Sequence, residues 1–552
     1  MSRSKSLIKK AIRNVELTVL DQKHKNFMLL RRPRESAIAH TLKLLGDIER
    51  DFNNTDLRDR SYFWRRSGFR YVLDAVSHCL RWLAEPPPTR VYLPGASWQQ
   101  LNREAFDLLA WGMDYAKLAQ DHVAWTRGAL ECNLDETRKM ISFEFPANFD
   151  TFFLLTQAAS EEFYSKRALD EIPSDQLQSG FSAWIDRFTK RLQGVDISWK
   201  IERNEKSHQI AFEWLSKTLW PELPAKTDLQ GYCLDEFRHF FAALFIHGLY
   251  ISWAEDYMDK QFGPENEAGS HIVVFSENQM IRWLSEISGV NRSSLRAIVK
   301  DLTFDTGNFH SSIVTQPFVK SKSGKLFLLS RLVTILDPMP MIADALHKSK
   351  KDEIYAGFVQ VLEQSSLDQI EKIFAQLNFR VFREKRFVDA DGNKITPDFL
   401  LYDPQKKELL VIDYKHTLAP SGASQVIRKS KSLSESREGI RQVQRYLEFF
   451  QNNLRLLENW IGEVENKDKI NGLLLFRWPM PMHLEFNRQV SIVDWFSLEN
   501  MLSEENNISI KSLNNWIRTR PDLPYNLKHL QRVPEEVAVD NWTYRRTILA
   551  EV

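Results

Sequence analysis

Two acids and a lysine stand at a spacing that can hold a metal ion beside a phosphate. Between Ile395 and Lys415, two apolar runs flank a turn headed by Asp403-Pro404, so they predict an antiparallel hairpin. With Asp403 to Glu408 as the loop, Tyr402 faces Leu409 and the same register sets Asp398 opposite Asp413. Opposed residues share a face, with Cβ atoms about 4.5 to 5.5 Å apart, and Lys415, two beyond Asp413, shares it too. Two carboxylates that close repel each other. Mg²⁺ relieves this, because it binds one or two carboxylates, keeps several waters and completes its shell from a substrate phosphate. A lysine beside it can orient or deprotonate the attacking water and stabilise charge on the phosphate. The plainer alternative has Asp398 capping a turn and Asp413 pairing with Lys415. Asp413 ends the run Leu409 to Ile412, where an unpartnered carboxylate is costly, and that favours a site.

The surrounding elements must present these groups. A long helix is predicted from Asp352 to Leu377, followed by strands at Arg380–Val388, Ile395–Tyr402 and Glu408–Lys415. After a Ser/Lys-rich loop from Pro420 to Glu438 come a helix from Ile440 to Leu457, a strand at Gly472–Arg477 and a further strand at Val490–Trp495. Helix, three strands, helix, strand is an α/β order that needs a sheet with helices packed on it. On the long helix, Val359, Ile370, Phe374 and Leu377 share one face, and Glu363 lies among them. Glu371 falls at the edge of that stripe, Asp368 nearly opposite it, and Glu353 near the helix start. Gln442 and Tyr446, four apart on the later helix, share a face. The loop before it carries Arg428, Lys429, Lys431 and Arg437, placed either to hold a phosphate backbone or merely to be solvated.

Pro397-Asp398 and, at a spacing of fifteen positions from Asp398, Asp413-Tyr414-Lys415 resemble the signature of the PD-(D/E)xK, or restriction-endonuclease-like, nuclease superfamily. The order of helices and strands matches that superfamily's core, and Gln442-Val-Gln-Arg-Tyr446 is similar to the Q-x-x-x-Y motif of its RecB-type exonucleases. The resemblance covers about residues 352 to 500. It implies an α/β domain with a central mixed sheet and a Mg²⁺- or Mn²⁺-dependent phosphodiesterase acting on nucleic acid, most simply DNA. It further implies metal ligation by Asp398, Asp413, the Tyr414 carbonyl and a helix acid. Lys415 would serve the water, and Gln442 and Tyr446 would support the lysine. For the helix acid Glu363 is favoured, with Glu371 and Asp368 behind it.

From the N-terminus to about residue 310 the chain reads as helical, with apolar spacings of three and four as in Tyr71, Val72, Ala75, Cys79 and Trp82. Its tryptophans, including Trp64, Trp82, Trp98, Trp111 and Trp125, read better as core than as base-stacking platforms. The expected organisation is multidomain: a mostly α-helical region at 1–310, a β-containing bridge at 311–350, the nuclease-like domain at 351–510 and a tail at 511–552 packing on the rest. The whole chain is nearly neutral, with 74 Lys+Arg against 73 Asp+Glu. Residues 1–70 nevertheless carry 17 basic and 8 acidic side chains, an excess of 9 that leaves −8 for the remainder. That arm reads as a solvated helical surface or as a contact for phosphate.

Three scattered cysteines, Cys79, Cys132 and Cys233, cannot build a disulfide framework and fit a reducing compartment. No apolar run reaches membrane-spanning length, and Phe240–Ala254 reads as a buried helix. A cytoplasmic protein is expected, with no membrane partner. No phosphate loop, H-E-x-x-H, paired C-x-x-C or G-x-S-x-G is present, and His239 and His247 read as helix-packing residues rather than ligands. By analogy, a nuclease joined to a large helical region that senses, restrains or binds a partner protein or second copy looks like an anti-phage or restriction effector. The alternatives are a repair or recombination nuclease, or an interaction protein with an inactive nuclease fold.

Overall fold

The computed structural model describes all residues except 1, 54–60, 87–95, 127, 148–153, 158, 161–173, 193–203, 230, 263–270, 309–310, 349–351, 390–391, 417–431, 434–438, 480–488, 505–507, 524–529 and 552. The first part is largely helical. Helices Arg34–Asn53, Ser61–Ala84 and Trp98–Thr126 pack on one another through Leu42, Leu45, Val76, Cys79, Leu108 and Leu109. The apolar stretch Phe240–Ala254 lies inside the helix Leu234–Phe262, with Phe240, Phe241, Tyr250 and Ile251 buried. Among the described residues no helix is long and apolar enough to cross a membrane. Trp82 and Trp111 are core residues and Trp125 packs at the margin of the same core against Phe143, whereas Trp98 is partly exposed beneath the Lys43 ammonium. His239 bonds His208, while His247 is buried against Ser330. The two therefore serve separate packing contacts.

Strands are present in this part too. Glu131–Asp135 and Met140–Glu144 form a hairpin, and Ile272–Ser276 pairs with Lys325–Leu329 in a four-stranded sheet. The stretch at 311–350 is therefore part of the first core rather than a bridge. The reason lies in Leu326-Phe327-Leu328-Leu329, a run without polar alternation that needs cover on both faces. All four side chains are buried, between Ile272–Ser276 and Phe318–Lys320. The tail at 511–552 divides. Helix Ile510–Thr519 packs under the C-terminal sheet through Leu513 and Trp516. The hairpin Leu530–Val539 and Trp542–Glu551 returns to the first part, where Tyr544 pairs in parallel with Ile141. A buried ion pair between Arg546 Nε and Asp121 Oδ2, at 2.7 Å, fixes it there.

The C-terminal sheet is five-stranded and mixed. Its order is Val490–Asp494, Ile470–Phe476, Glu408–Lys415, Phe399–Asp403 and Arg380–Arg383; the first two strands run parallel to Glu408–Lys415 and the last two form antiparallel pairs. Every residue from Phe399 to Asp403 and from Glu408 to Tyr414 is buried, as expected of strands covered on both faces. One face carries Leu400, Leu409, Val411, Leu474 and Phe476 against helix Ile440–Asn452. The other carries Phe399, Leu410, Ile412, Tyr414 and Leu475 against helix Asp352–Gln376. Three elements are shorter than their sequence patterns. The strand expected at Arg380–Val388 ends at Arg383, and Phe387–Val388 pairs instead with Lys394–Ile395. Pro397 separates Lys394–Ile395 from Phe399–Asp403, and the later helix breaks at Asn453 before Leu454–Trp460.

Candidate active site

The hairpin register pairs Tyr402 with Leu409 and Phe399 with Ile412, so Asp398, one residue before its strand, stands level with Asp413. The turn is closed by Asp403, whose Oδ1 accepts the N–H groups of Gln405 and Lys406 at 2.9 and 3.0 Å. At the far end Tyr414 N–H donates to Asp398 Oδ2 at 2.6 Å. The Asp398 carboxylate is thereby tied to the backbone of the strand that carries Asp413. Asp413 is buried, and Lys415 Nζ sits 2.8 Å from its Oδ2.

The lysine is held from a second side. Its Nζ donates to Gln442 Oε1 at 3.2 Å, Gln442 Nε2 donates to Tyr446 Oη at 2.6 Å, and Tyr446 O–H donates to the Thr396 carbonyl at 3.1 Å. The i, i+4 spacing of Gln442 and Tyr446 allows this relay, which closes a loop from Lys415 back to the residue two before Asp398. Two glycines set the helix that bears it. Gly439 takes φ 71°, ψ −130° at the helix start, where a Cβ would meet the Leu433 carbonyl at 2.6 Å. Gly472 lets the sheet approach closely, since a Cβ there would stand 2.7 Å from Val443 Cγ1.

Charge in this corner is unbalanced. Burial first, and the negative charge of Asp413 second, push the Asp398 carboxyl up to about 7; the Tyr414 N–H and Lys415 pull the other way, and Glu384 adds to the rise. Glu363, half-buried on the long helix, is also raised, by burial and then by Asp398, with Lys415 opposing. It is therefore close enough to feel both residues. Asp368 and Glu371 turn elsewhere: Arg383 Nη1 donates to them at 2.6 and 2.9 Å on the outer strand. Glu353 is exposed at the helix start. The Tyr414 side chain points to the long-helix face, where its hydroxyl meets His416 Nδ1 at 3.2 Å; only its backbone belongs to the carboxylate pair.

A hard cation would find Asp398, Asp413 and the Tyr414 carbonyl as oxygen donors, with Glu363 nearby. The chemistry of that set fits Mg²⁺ or Mn²⁺, because an ion with few protein ligands and several waters needs only one or two carboxylates. Among the described residues no three His, Cys, Asp or Glu side chains already converge on one point, so Glu363 stands apart from the pair. Arg428, Lys429, Lys431 and Arg437 lie outside the described residues.

Sequence reasoning missed the Thr396 carbonyl, which as a backbone acceptor leaves no trace in residue types. It also missed the contact of His416 with Ser366, Nδ1 to Oγ at 3.4 Å, although a histidine directly after Lys415 was a signal available to it. Comparison with family models, curated proteins and solved structures finds no significant match to this chain.

Proposed function

We propose that this protein is a metal-dependent nuclease of the PD-(D/E)xK type that hydrolyses phosphodiester bonds in DNA. The observation that carries the reading is the position of Lys415. Its ammonium is held between Asp413 and Gln442, beside Asp398, whose carboxyl is pushed up by burial and by the charge of Asp413. An ion pair made only for stability has no need of the second acid. Support also comes from the element order, with a helix, three antiparallel strands, a helix and a parallel strand around the same residues.

In this reading Asp398, Asp413 and the Tyr414 carbonyl hold Mg²⁺ or Mn²⁺, which when bound supplies Lewis acidity and a more acidic water. Lys415 orients the attacking water and offsets charge gathering on the phosphate. Gln442 and Tyr446 keep the lysine from collapsing wholly onto Asp413, and Glu363 orients the water and ligands from the long-helix side. The large first part would then govern when or where cleavage occurs, as in an anti-phage or restriction effector.

The test is a substrate panel of duplex DNA, single-stranded DNA and RNA, each with Mg²⁺ and Mn²⁺, comparing wild type with folded Asp413→Ala and Lys415→Ala proteins. Metal-dependent cleavage lost in both variants is the expected result. Absence of cleavage by wild type on every substrate, or equal cleavage by all three proteins, rejects the proposal.

A further inference from the structure

One cationic side chain at the rim of the sheet has no place in the chemistry above. Arg477 is the first residue beyond strand Ile470–Phe476, and its N–H donates to the Lys415 carbonyl at 3.2 Å. The two basic residues thus leave neighbouring strand ends, at the carboxyl edge of the parallel part of the sheet, where α/β proteins commonly bind ligands. Among the described residues the Arg477 guanidinium has no ion-pair partner and no side-chain hydrogen bond. It rests on rings instead. Its central carbon lies 5.8 Å from the Trp478 ring centroid and 5.3 Å from that of Phe496. Those two rings stack on each other, with centroids 4.5 Å apart and planes at 27°.

This arrangement has a chemical consequence. A guanidinium held beside stacked aromatic rings is restrained by cation–π attraction, which leaves its N–H donors available. Phosphate and carboxylate oxygens match that planar fork. All three side chains are only half-buried, and the nearby acid Glu499, whose carboxyl Arg477 pulls down against burial, makes no ion pair with it among the described residues. The positive charge of Arg477 is also felt by His416 and Tyr414, which places it electrostatically beside the candidate site. Pro479 follows and biases Trp478 to an extended backbone, which helps keep the indole beside the guanidinium.

We propose that Arg477, preoriented by Trp478 and Phe496, binds a backbone phosphate of the nucleic-acid strand flanking the bond to be cut. The inference rests on the nuclease reading and adds a residue to it. Arg477 is the phosphate contact; Trp478 and Phe496 are positioning residues.

The experiment uses the full chain in EDTA, so that binding is read without cleavage. Fluorescein-labelled DNA and RNA oligonucleotides are titrated by anisotropy over a salt series. Arg477→Ala is expected to weaken binding about tenfold and to reduce the slope of log Kd against log salt by about one. Arg477→Lys keeps the charge and the stem but loses the fork, so the slope is retained while affinity falls several-fold; this variant also carries the test if the alanine protein does not fold. Trp478→Phe should bind like wild type and Trp478→Ala like Arg477→Ala. Wild-type binding with unchanged affinity and slope in Arg477→Ala overturns the clamp alone. No binding by wild type overturns the clamp alone, because the nuclease reading is judged by cleavage with Mg²⁺ or Mn²⁺ present. Binding that depends on Arg477, without cleavage in any metal, overturns the nuclease reading and leaves the clamp standing.

Discussion

Replacing Asp398 with asparagine should make the metal-free protein more stable while removing its activity. In the folded chain its carboxyl titrates at about 7, against about 3.9 for an unperturbed aspartate. At 1.36 kcal/mol per pKa unit the difference corresponds to about 4 kcal/mol. The folded-state pKa is raised, so ionisation opposes folding. Stability is lost as pH climbs from about 4 to about 7, the loss is complete above that, and it is absent below the unfolded value. The groups facing this carboxyl are Asp413 and Glu384, which raise it, and Lys415 and the Tyr414 N–H, which lower it. An asparagine keeps an acceptor for the Tyr414 N–H and removes the charge that repels Asp413. We expect Asp398→Asn to gain about 2 to 4 kcal/mol near pH 8 in EDTA, a rise of several degrees in the melting of a domain of this size. Near pH 4 the gain should shrink toward zero. Added Mg²⁺ should then stabilise the wild type and not the variant. Calorimetry at the two pH values measures this. A variant less stable than wild type at pH 8, or equally stabilised at both, refutes the idea that two neighbouring charges are held together against their repulsion.

Glu363→Gln should lower cleavage at least tenfold, whereas Asp368→Asn, which disturbs an exposed pairing with Arg383, should leave the rate within twofold; the reverse ranking in a steady-state assay excludes Glu363 as the helix acid. Gly472→Val forces a side chain against Val443 and Leu447. At an overpacking cost of about 1 to 3 kcal/mol, it should shift helix Ile440–Asn452 and draw Gln442 off Lys415, so cleavage falls by more than tenfold with the circular dichroism unchanged, and an unaltered rate would show that the relay is dispensable. Arg546→Ala leaves Asp121 buried beneath the C-terminal hairpin without its guanidinium. It should cost about 3 to 5 kcal/mol, which a urea titration would detect, and an effect below about 1 kcal/mol contradicts the assignment of that pair as the hairpin's anchor.

The hairpin and its acids were readable because one turn fixes everything about them. Asp403-Pro404 marks the turn, and the apolar runs on each side leave a single register, so the level of Asp398 and Asp413 follows from counting residues. The position of Glu363 was readable for the same reason, from helical periodicity against Ile370 and Phe374. Neither Thr396 nor Arg477 could be found that way. The first acts through a carbonyl, and the second depends on Phe496, nineteen positions later, arriving beside Trp478. The tail misled for a related reason. Residues 530–551 alternate as a strand pair should, but nothing local indicates that their partner lies at Met140–Glu144, some four hundred positions earlier.

That long-range pairing bears on how the two parts of the chain influence each other. Helix Asp352–Gln376 belongs to both cores: Ile354, Phe358 and Leu362 pack with the first, and Leu367, Ile370 and Phe374 with the C-terminal sheet. Phe358 meets Trp220 from the helical part, with ring centroids 6.3 Å apart. Glu363 stands where the helix passes from one core to the other, so its reach toward Asp398 depends on packing in both. Arg520 adds a second tie, donating to Ser160 Oγ at 2.7 Å and to Ser497 Oγ at 2.8 Å. A fragment beginning near residue 351 would expose Ile354, Phe358 and Leu362 and deprive the terminal hairpin of its partner strand. Loss of activity on such a truncation would therefore report broken packing, not the absence of a regulator. Point substitutions at Phe358 or Trp220, which loosen the helix from the first core without unfolding the sheet, separate the two causes, because only a coupling through Glu363 lets them alter cleavage while the pairing of Asp398 with Tyr414 stays intact.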